Sequence, residues 1–330
     1  MKFSIVTPAY NVSRYIGEML DSVRHQSLFD WELRIVDDGS TDGTQQIIKA
    51  AALKDPRIKP VYLDRNSGSC FFPRRVAIES SEGDYIVNID ADDIVEGDYL
   101  YHLDNRIRET GADLVYAEMY LFEEDKQPFK IIPKEKTVYS QIFNGKDIFD
   151  KTLDGWEVSG VAAISGSLAR LSLQLFDHEF SLNTFWGSFE NENLTRLDLY
   201  LADRVTFAKA AYFYRQNQDS VTHRLSLRKF ELLESDINLC KFTKKYFGDG
   251  AKEYKLANRQ LFHHVIEFIR YLNNYPSFEG RKTATAITKK ALKSIDYKAI
   301  RNIVSLRYLA VLRMGFQVAK KVFAAYEGKK

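Results

Sequence analysis

Three carboxylates stand within four positions of one another, Asp90, Asp92 and Asp93, in the stretch "NIDADD" (88–93) that closes an apolar run. Acids this close repel. A bound divalent cation with oxygen ligands would offset that repulsion. A solvated turn that happens to be acidic is the plain alternative. A second pair, Asp37 and Asp38, opens "DDGSTD" (37–42), again directly after an apolar run. The choice between the two readings depends on the elements that carry these acids.

Those elements alternate. "FSIVT" (3–7), "ELRIVDD" (32–38), "RIKPVYL" (57–63), "DYIVNID" (84–90) and "DLVYAEMYLF" (113–122) are short β-branched or aromatic runs. Continuous apolar strands of this kind belong to a parallel sheet covered on both faces. Helical patterns lie between them. Ile16, Met19, Leu20 and Val23 recur at helical spacing, with Ser13 as a candidate cap. Ile47, Ile48, Ala51 and Ala52 repeat the pattern, and Pro73 suits the first turn of a third helix. The alternation predicts a doubly wound α/β domain. Ligands bind beyond the carboxyl ends of the strands in such sheets. "TPAYN" (7–11), "DDGSTD", "DRNSGS" (64–69) and "DADD" all occupy such ends. Several polar clusters on one rim weigh against an accidental acidic turn.

Further along, residues 123–140 are polar and read as a connection, and residues 145–225 mix helix and loop. From about 226 the pattern is helical. Its clearest segments are "LRKFELLESDINLCKFTKKYF", "KLANRQLFHHVIEFIRYLNNY" and "YKAIRNIVSLRYLAVLRMGFQVAKKVF". With 330 residues, 45% of them apolar, the chain has material for a large domain and a smaller one. Cys70 and Cys240 make neither a metal-ligand spacing nor a disulfide framework, which points to a reducing, cytoplasmic setting. The N-terminal apolar run is too short for a signal peptide, and no uncharged apolar stretch of about 18 residues exists to span a membrane. The net charge of +2 is uneven. Residues 281–330 hold thirteen Lys or Arg against Asp296 and Glu327, a tail of +11 on a body of −9.

The order "TPAYN", "VDDGSTD", "RNSG…PRR" and "GDYIVNIDADD" resembles the family-2 nucleotide-sugar glycosyltransferases of the GT-A fold, closely over residues 1 to about 100 and more loosely over 189–222. The resemblance implies a GT-A, Rossmann-like doubly wound and mainly parallel sheet with a helical C-terminal extension. Residues 1–225 would form the catalytic domain, with 1–122 the nucleotide-sugar half and 123–225 the acceptor half, and 226–330 the helical region. It further implies Mn2+ or Mg2+ against the donor diphosphate, where a cation neutralises the charge that grows as the sugar leaves. Asp92 is then the metal ligand, and Asp90 faces the ribose or meets the metal through water. Asp93 either joins them or caps a helix starting near Val95. Asp38 or Asp37 accepts from the uracil, Asp38 being favoured, and one of the pair caps the helix after "GSTDGT". Tyr10 stacks on the base, or simply packs over the sheet edge. Thr7 and Ala9 offer backbone groups, and Arg74 contacts the nucleotide. Arg75 departs from the pattern, where Asn is common, and "CFFP" is bulkier than usual.

In similar inverting enzymes the base is the Asp of an acidic pair before a "YYYR"-like strand. Here the matching stretch is "FENEN" (189–193), with Asn191 in that place. Asn cannot accept the proton, so Glu190 or Glu192 must act as the base. Otherwise both are surface acids favouring a helix start. Trp156, Trp186, His178 and His223 in the same half are sugar-site or ordinary packing residues. The basic tail has two readings. In one, a helix carrying Arg313, Lys320 and Lys321 lies on an anionic membrane surface through Leu309, Leu312, Phe316 and Phe323. In the other, the helix packs on the catalytic body with its charges in water. Nothing ties the basic residues to a nucleic-acid motif. The implied activity is transfer of a sugar, UDP-linked, to a hydroxyl of a saccharide or lipid-linked glycan in bacterial surface polysaccharide synthesis. A catalytically inactive nucleotide-sugar-binding protein, a polyprenyl-phosphate sugar transferase and a nucleotidyltransferase are the rivals. The last lacks its glycine-rich, basic phosphate loop.

Overall fold

The computed structural model describes residues 1–123, 126–134, 136–153, 160–180, 190–216 and 227–327. The chain divides into two compact units. One is Met1–Trp186 with Glu190–Asn217, and the other is Gly187–Phe189 with Gln218–Lys330.

The first unit begins with β1 (Phe3–Ala9), α1 (Ile16–Arg24), β2 (Trp31–Asp37), α2 (Thr44–Lys54), β3 (Ile58–Tyr62), α3 (Phe71–Glu79) and β4 (Tyr85–Asn88). It continues through β5 (Ile94–Val95), α4 (Tyr99–Thr110), β6 (Leu114–Phe122), β7 (Phe129–Ile132), α5 (Gly145–Ile148), β8 (Ala162–Ser165), α6 (Gly166–Glu179), α7 (Glu190–Leu201) and β9 (Val205–Arg215). The strands form one sheet in the order β3-β2-β1-β4-β8-β6-β9-β5, with β7 on β6. β3, β2, β1 and β4 are parallel, so their carboxyl ends share one rim. β8 runs antiparallel between β4 and β6, and β9 lies parallel to β6.

The apolar runs form strands because both faces are covered. Phe3, Ile5, Leu33, Ile35 and Val87 join Ile16, Met19, Leu20 and Val23 of α1 in one fully buried cluster. Each such side chain contributes on the order of 1.5–3 kcal/mol. Several local expectations fail. α1 starts at Ile16 without a side-chain cap, because Tyr15 holds the cap position and Ser13, two residues earlier, is tied to Asp42 Oδ2 through its N–H at 3.0 Å. Residues 123–140 are not all connection, since β7 lies within them and pairs with β6. No helix starts near Val95. Ile94 and Val95 pair with β9, and the next helix begins at Tyr99.

At the amino ends of the parallel strands a buried carboxylate is surrounded by donors. Glu32 accepts from Ser4 Oγ at 2.6 Å, Lys59 Nζ at 2.8 Å and the Glu82 N–H at 2.8 Å, and Arg34 lies 2.9 Å away. Burial pushes the Glu32 carboxyl up, but these donors together outweigh it and hold it well below the ordinary range.

The second unit is helical among the described residues: α8 (Glu231–Phe247), α9 (Lys252–Asn274), α10 (Arg281–Ser294), α11 (Tyr297–Ile300), α12 (Leu306–Arg313) and α13 (Phe316–Glu327). Its core gathers on α9, where Leu261, Phe262, Val265, Ile269 and Leu272 are buried and Phe268 meets Phe230 at 4.5 Å between ring centroids. The segment 297–323, which reads as one helix in the sequence, is three. Gly315, at φ +95°, separates the last two. Leu309, Leu312, Phe316 and Phe323 are buried, with Phe323 under Arg270 of α9 and Phe316 under Lys289 of α10. That apolar face is packed within the helical unit itself, on α9 and α10.

Candidate active site

The rim beyond β1 and β2 is cross-braced. Asn11, at φ +48°, accepts from the Thr41 N–H at 2.9 Å and donates its own N–H to Ser40 Oγ at 2.9 Å. Asp42 takes the N–H and hydroxyl of Thr44 through Oδ1 and the Ser13 N–H through Oδ2. Burial raises its pKa, but these donors outweigh burial and bring it to about 2. Neither Asp37 nor Asp38 caps α2, whose cap position is Gly43. Asp37 is buried and accepts from the Ser40 N–H at 3.0 Å and Gln45 Nε2 at 2.7 Å. Asp38 is buried and held from the third loop by Asn66 Nδ2 at 3.0 Å, Ser67 N–H at 2.9 Å and Ser67 Oγ at 2.9 Å. Gly39 allows that loop to approach. At φ +73°, an added Cβ would meet the Arg65 carbonyl carbon at 2.7 Å. Tyr10 is 46% exposed, so its ring is not packed away. Thr7 is wholly buried within β1, and the Ala9 carbonyl already accepts the Asp38 N–H at 2.8 Å. Those two offer a ligand less than their sequence position suggests.

The acidic turn after β4 is held from β9. The Tyr212 hydroxyl donates to Asp93 Oδ2 at 2.5 Å and accepts the Asp90 N–H at 3.1 Å. The Arg215 N–H donates to Asp93 Oδ1 at 2.8 Å, and Arg215 Nε donates to the Asp92 carbonyl at 2.8 Å. Asp93 is therefore neither a helix cap nor a solvent-facing acid. It is the buried peg of the turn. Burial first, then the charges of Asp90 and Asp92, push its carboxyl well above the ordinary range, with Tyr212 and Arg215 opposing. With Asp93 sunk, Asp90 and Asp92 occupy the outer side of the turn, and Asp90 is clamped by the buried Arg74. Arg75, the departure from the family pattern, points elsewhere, to Asp177 at 2.5 Å and Glu79 at 2.7 Å. The bulk of "CFFP" is absorbed likewise, since Phe71 packs on Phe176 of α6 at 4.7 Å.

Arg74 and Asp90 open onto a cavity of about 660 Å3, lined also by Asn191, Glu192, Asp198 and Tyr212. α7 therefore turns Glu192 to the cavity wall, while Glu190 is buried and is not part of that wall. Glu192 lies 3.6 Å from the buried Arg196. Asn191, in the usual Asp position, donates to Cys70 Sγ at 2.9 Å. His178 is exposed beside Glu179 and takes no part in the wall. Trp156, Trp186 and His223 lie outside the described residues. Sequence reasoning passed over Asp198. It is buried, its Oδ1 has no hydrogen-bond partner, and burial, opposed by Ser172, pushes its pKa up to about 7. An acid inside the apolar run "LDLYL" was the available signal.

Among the described residues no group of three or more His, Cys, Asp or Glu side chains could hold a metal ion by itself. The turn does fit a hard cation whose remaining ligands come from a diphosphate: Asp90 and Asp92 occupy its outer side, and their charges, after burial, help push Asp93 above its ordinary range.

A mainly parallel sheet with paired carboxylates and an arginine at its carboxyl rim defines an α/β fold of the GT-A type. It matches the crystal structure of Staphylococcus aureus TarS residues 1–349 in complex with UDP-GlcNAc, with a TM-score of 0.71, 18% identity and coverage of 100% of this chain and 93% of that one. Residues 4–163 match Glycosyl transferase family 2. Among curated relatives in Streptococcus pneumoniae, the chain is 27% identical to glycosyltransferase GlyA over 223 residues, 67% of this chain and 31% of that protein. It is 23% identical to glycosyltransferase GlyG over 273 residues, 82% of this chain and 87% of that protein. The putative teichuronic acid biosynthesis glycosyltransferase TuaG of Bacillus subtilis is 44% identical over 90 residues, 27% of this chain and 35% of that protein. The chain thus spans about a third of the length of GlyA. No described helix is long and apolar enough to cross a membrane.

Proposed function

We propose that the chain transfers a sugar from a UDP-sugar to a hydroxyl of a bacterial surface glycan or its lipid-linked precursor, with inversion by direct displacement. One observation carries the reading: Asp90, clamped by Arg74, and Glu192 line the same cavity. Donor-side positive charge and an acceptor-side carboxylate therefore face one space. The relatives' involvement in surface-polymer synthesis and the UDP-GlcNAc bound to TarS support the donor and the pathway.

Tyr10 offers its exposed ring to the uracil, and Asp38, fixed by Asn66 and Ser67, accepts from the base edge. Arg74 steadies Asp90 and puts positive charge beside the diphosphate. Asp92 and Asp90 are the residues that would hold Mn2+ or Mg2+, which when bound neutralises the leaving diphosphate. Glu192 takes the acceptor proton, with Arg196 3.6 Å away. Glu190 stays buried as part of the seat of α7.

Titration of the protein with UDP, with and without MnCl2, tests the donor half. Release of UDP from a panel of nucleotide sugars beginning with UDP-GlcNAc tests the whole. Metal-strengthened UDP binding and metal-dependent UDP release are the expected results. Binding without release from any donor, with or without added acceptors, would instead support an inactive nucleotide-sugar-binding protein. The Asn191 side chain spent on Cys70 gives that rival its one structural argument.

A further inference from the structure

The buried face of the C-terminal helices leaves another face in water. Between residues 303 and 318 the structure exposes Leu306 (70%), Met314 (69%), Val318 (38%) and Ile303 (37%). Only twelve large apolar side chains are exposed among all the described residues, so four in this short stretch form a concentration. Helical spacing sets Leu306, Ala310 and Arg313 on one side of α12, and all three are exposed. The stretch is also cationic. From Tyr297 to Tyr326 the sequence holds Lys298, Arg301, Arg307, Arg313, Lys320 and Lys321 and no acid. Among the described residues no carboxylate pairs with Arg301, Arg307, Arg313, Lys320 or Lys321. Arg313 is instead held over the Tyr297 ring at 5.5 Å.

We propose that this outer face of α12 and α13, with the loop before it, docks on an anionic lipid bilayer. The chemistry selects that partner over other anions. A soluble polyanion answers the arginines and lysines but leaves Leu306 and Met314 in water. A bilayer with anionic headgroups answers both, the cations at the headgroups and the apolar tips among the first acyl carbons. The helices lie on the surface and do not enter it end-on, because α12 has eight residues and α13 twelve, too few to span. The apolar residues that the sequence nominates for insertion are not the ones used. Leu309, Leu312, Phe316 and Phe323 stay in the protein and fix the helices that present the others.

The test is flotation of the full chain with phosphatidylcholine vesicles, with and without phosphatidylglycerol. The protein floats with the anionic vesicles at low salt, stays down with the neutral ones, and is released as salt rises. In the double variant Leu306→Glu, Met314→Glu both sites are already in water, so the circular dichroism and melting curve match the parent. Its bound fraction falls roughly tenfold or more. Arg307→Gln with Lys321→Gln lowers binding by roughly fivefold per charge. Failure of the parent to float at low salt overturns the proposal, and so does flotation of the double-Glu variant at the parent's level. Binding of inorganic polyphosphate, unchanged in the double-Glu variant and without flotation, assigns the face to soluble polyanions and overturns it too. All readouts are binding, so the result is independent of the sugar-transfer reading.

Discussion

The two rims of the parallel sheet both carry buried acid, and they treat it in opposite ways. At the amino rim Glu32 is surrounded by Lys59, Arg34, Ser4 and the Glu82 N–H, and its carboxyl is held low. At the carboxyl rim Asp90, Asp92 and Asp93 crowd together, and Asp93 is driven high. The first acid is answered by its own chain. In the second group Tyr212 and Arg215 hold Asp93 and Arg74 clamps Asp90, and on the proposed function a cation joins them. On that proposed function, the acid of the amino rim serves stability and the acid of the carboxyl rim serves a cation.

That contrast can be broken most sharply at Asp92. Asp92→Asn should cut metal-dependent sugar transfer by on the order of a thousandfold, as loss of a group that stabilises developing charge does. The urea midpoint should stay unchanged, and a variant that transfers at the parental rate would remove Asp92 from the site. Glu32→Gln is the mirror experiment. It should cost about 2 kcal/mol of unfolding free energy in urea, because the half-buried Arg34 and Lys59 lose a charged partner, with UDP affinity preserved. Glu192→Gln should lower turnover by about a hundredfold while UDP and Mn2+ binding stay normal. Glu190→Gln should leave the chemical step of the folded enzyme intact. Equal losses in the two variants would undo the distinction between wall and interior.

The smallest effects are slopes of stability against pH, and they should have opposite signs. The Glu32 pKa is depressed on folding, so its contribution is complete above the unfolded value near 4.5 and disappears as pH falls through the folded one. The Asp198 pKa is raised to about 7, so folding favours its neutral form. Its contribution is complete below the unfolded value near 4 and is lost as pH climbs through about 7. The melting temperature of the parent should therefore drop by a few degrees more between pH 5 and pH 8 than that of Asp198→Asn. Parallel curves would mean that Asp198 ionises as easily in the folded protein as in the unfolded chain.

Much of this was legible beforehand. β1, β2, the centre of β4 and the first half of β6 are buried on both faces and so read as continuous apolar runs. Their loops must meet a ligand with small, polar residues, which is why "DDGSTD" and "DADD" stand out. The missed parts lacked that physics. β5 is two residues long and exists only through β9. α10 lies inside the region read as helical but not among its clearest segments, because the face it buries is only Ala284, Thr288, Ala291 and Leu292. The break at Gly315 is conformational and leaves the apolar spacing on either side intact. Which way α7 turns Glu190 and Glu192 depends on its packing, and a sequence with both acids in one turn cannot choose. Asp93 looked like its neighbours because its partners, Tyr212 and Arg215, lie more than a hundred residues away.

That last separation affects how the protein is made. The turn is written at residues 90–93 and fastened at 212–215, 119 to 123 positions later. At about 5–20 residues per second, a ribosome that has finished Asp93 needs on the order of ten seconds more to supply its fasteners. A nascent chain stopped at residue 163, where the family match ends, holds every acid of the turn and neither the tyrosine nor the arginine that seats them. A fragment meant to test the proposed nucleotide binding has to run through Arg215, because the acidic turn is not seated until that residue has emerged.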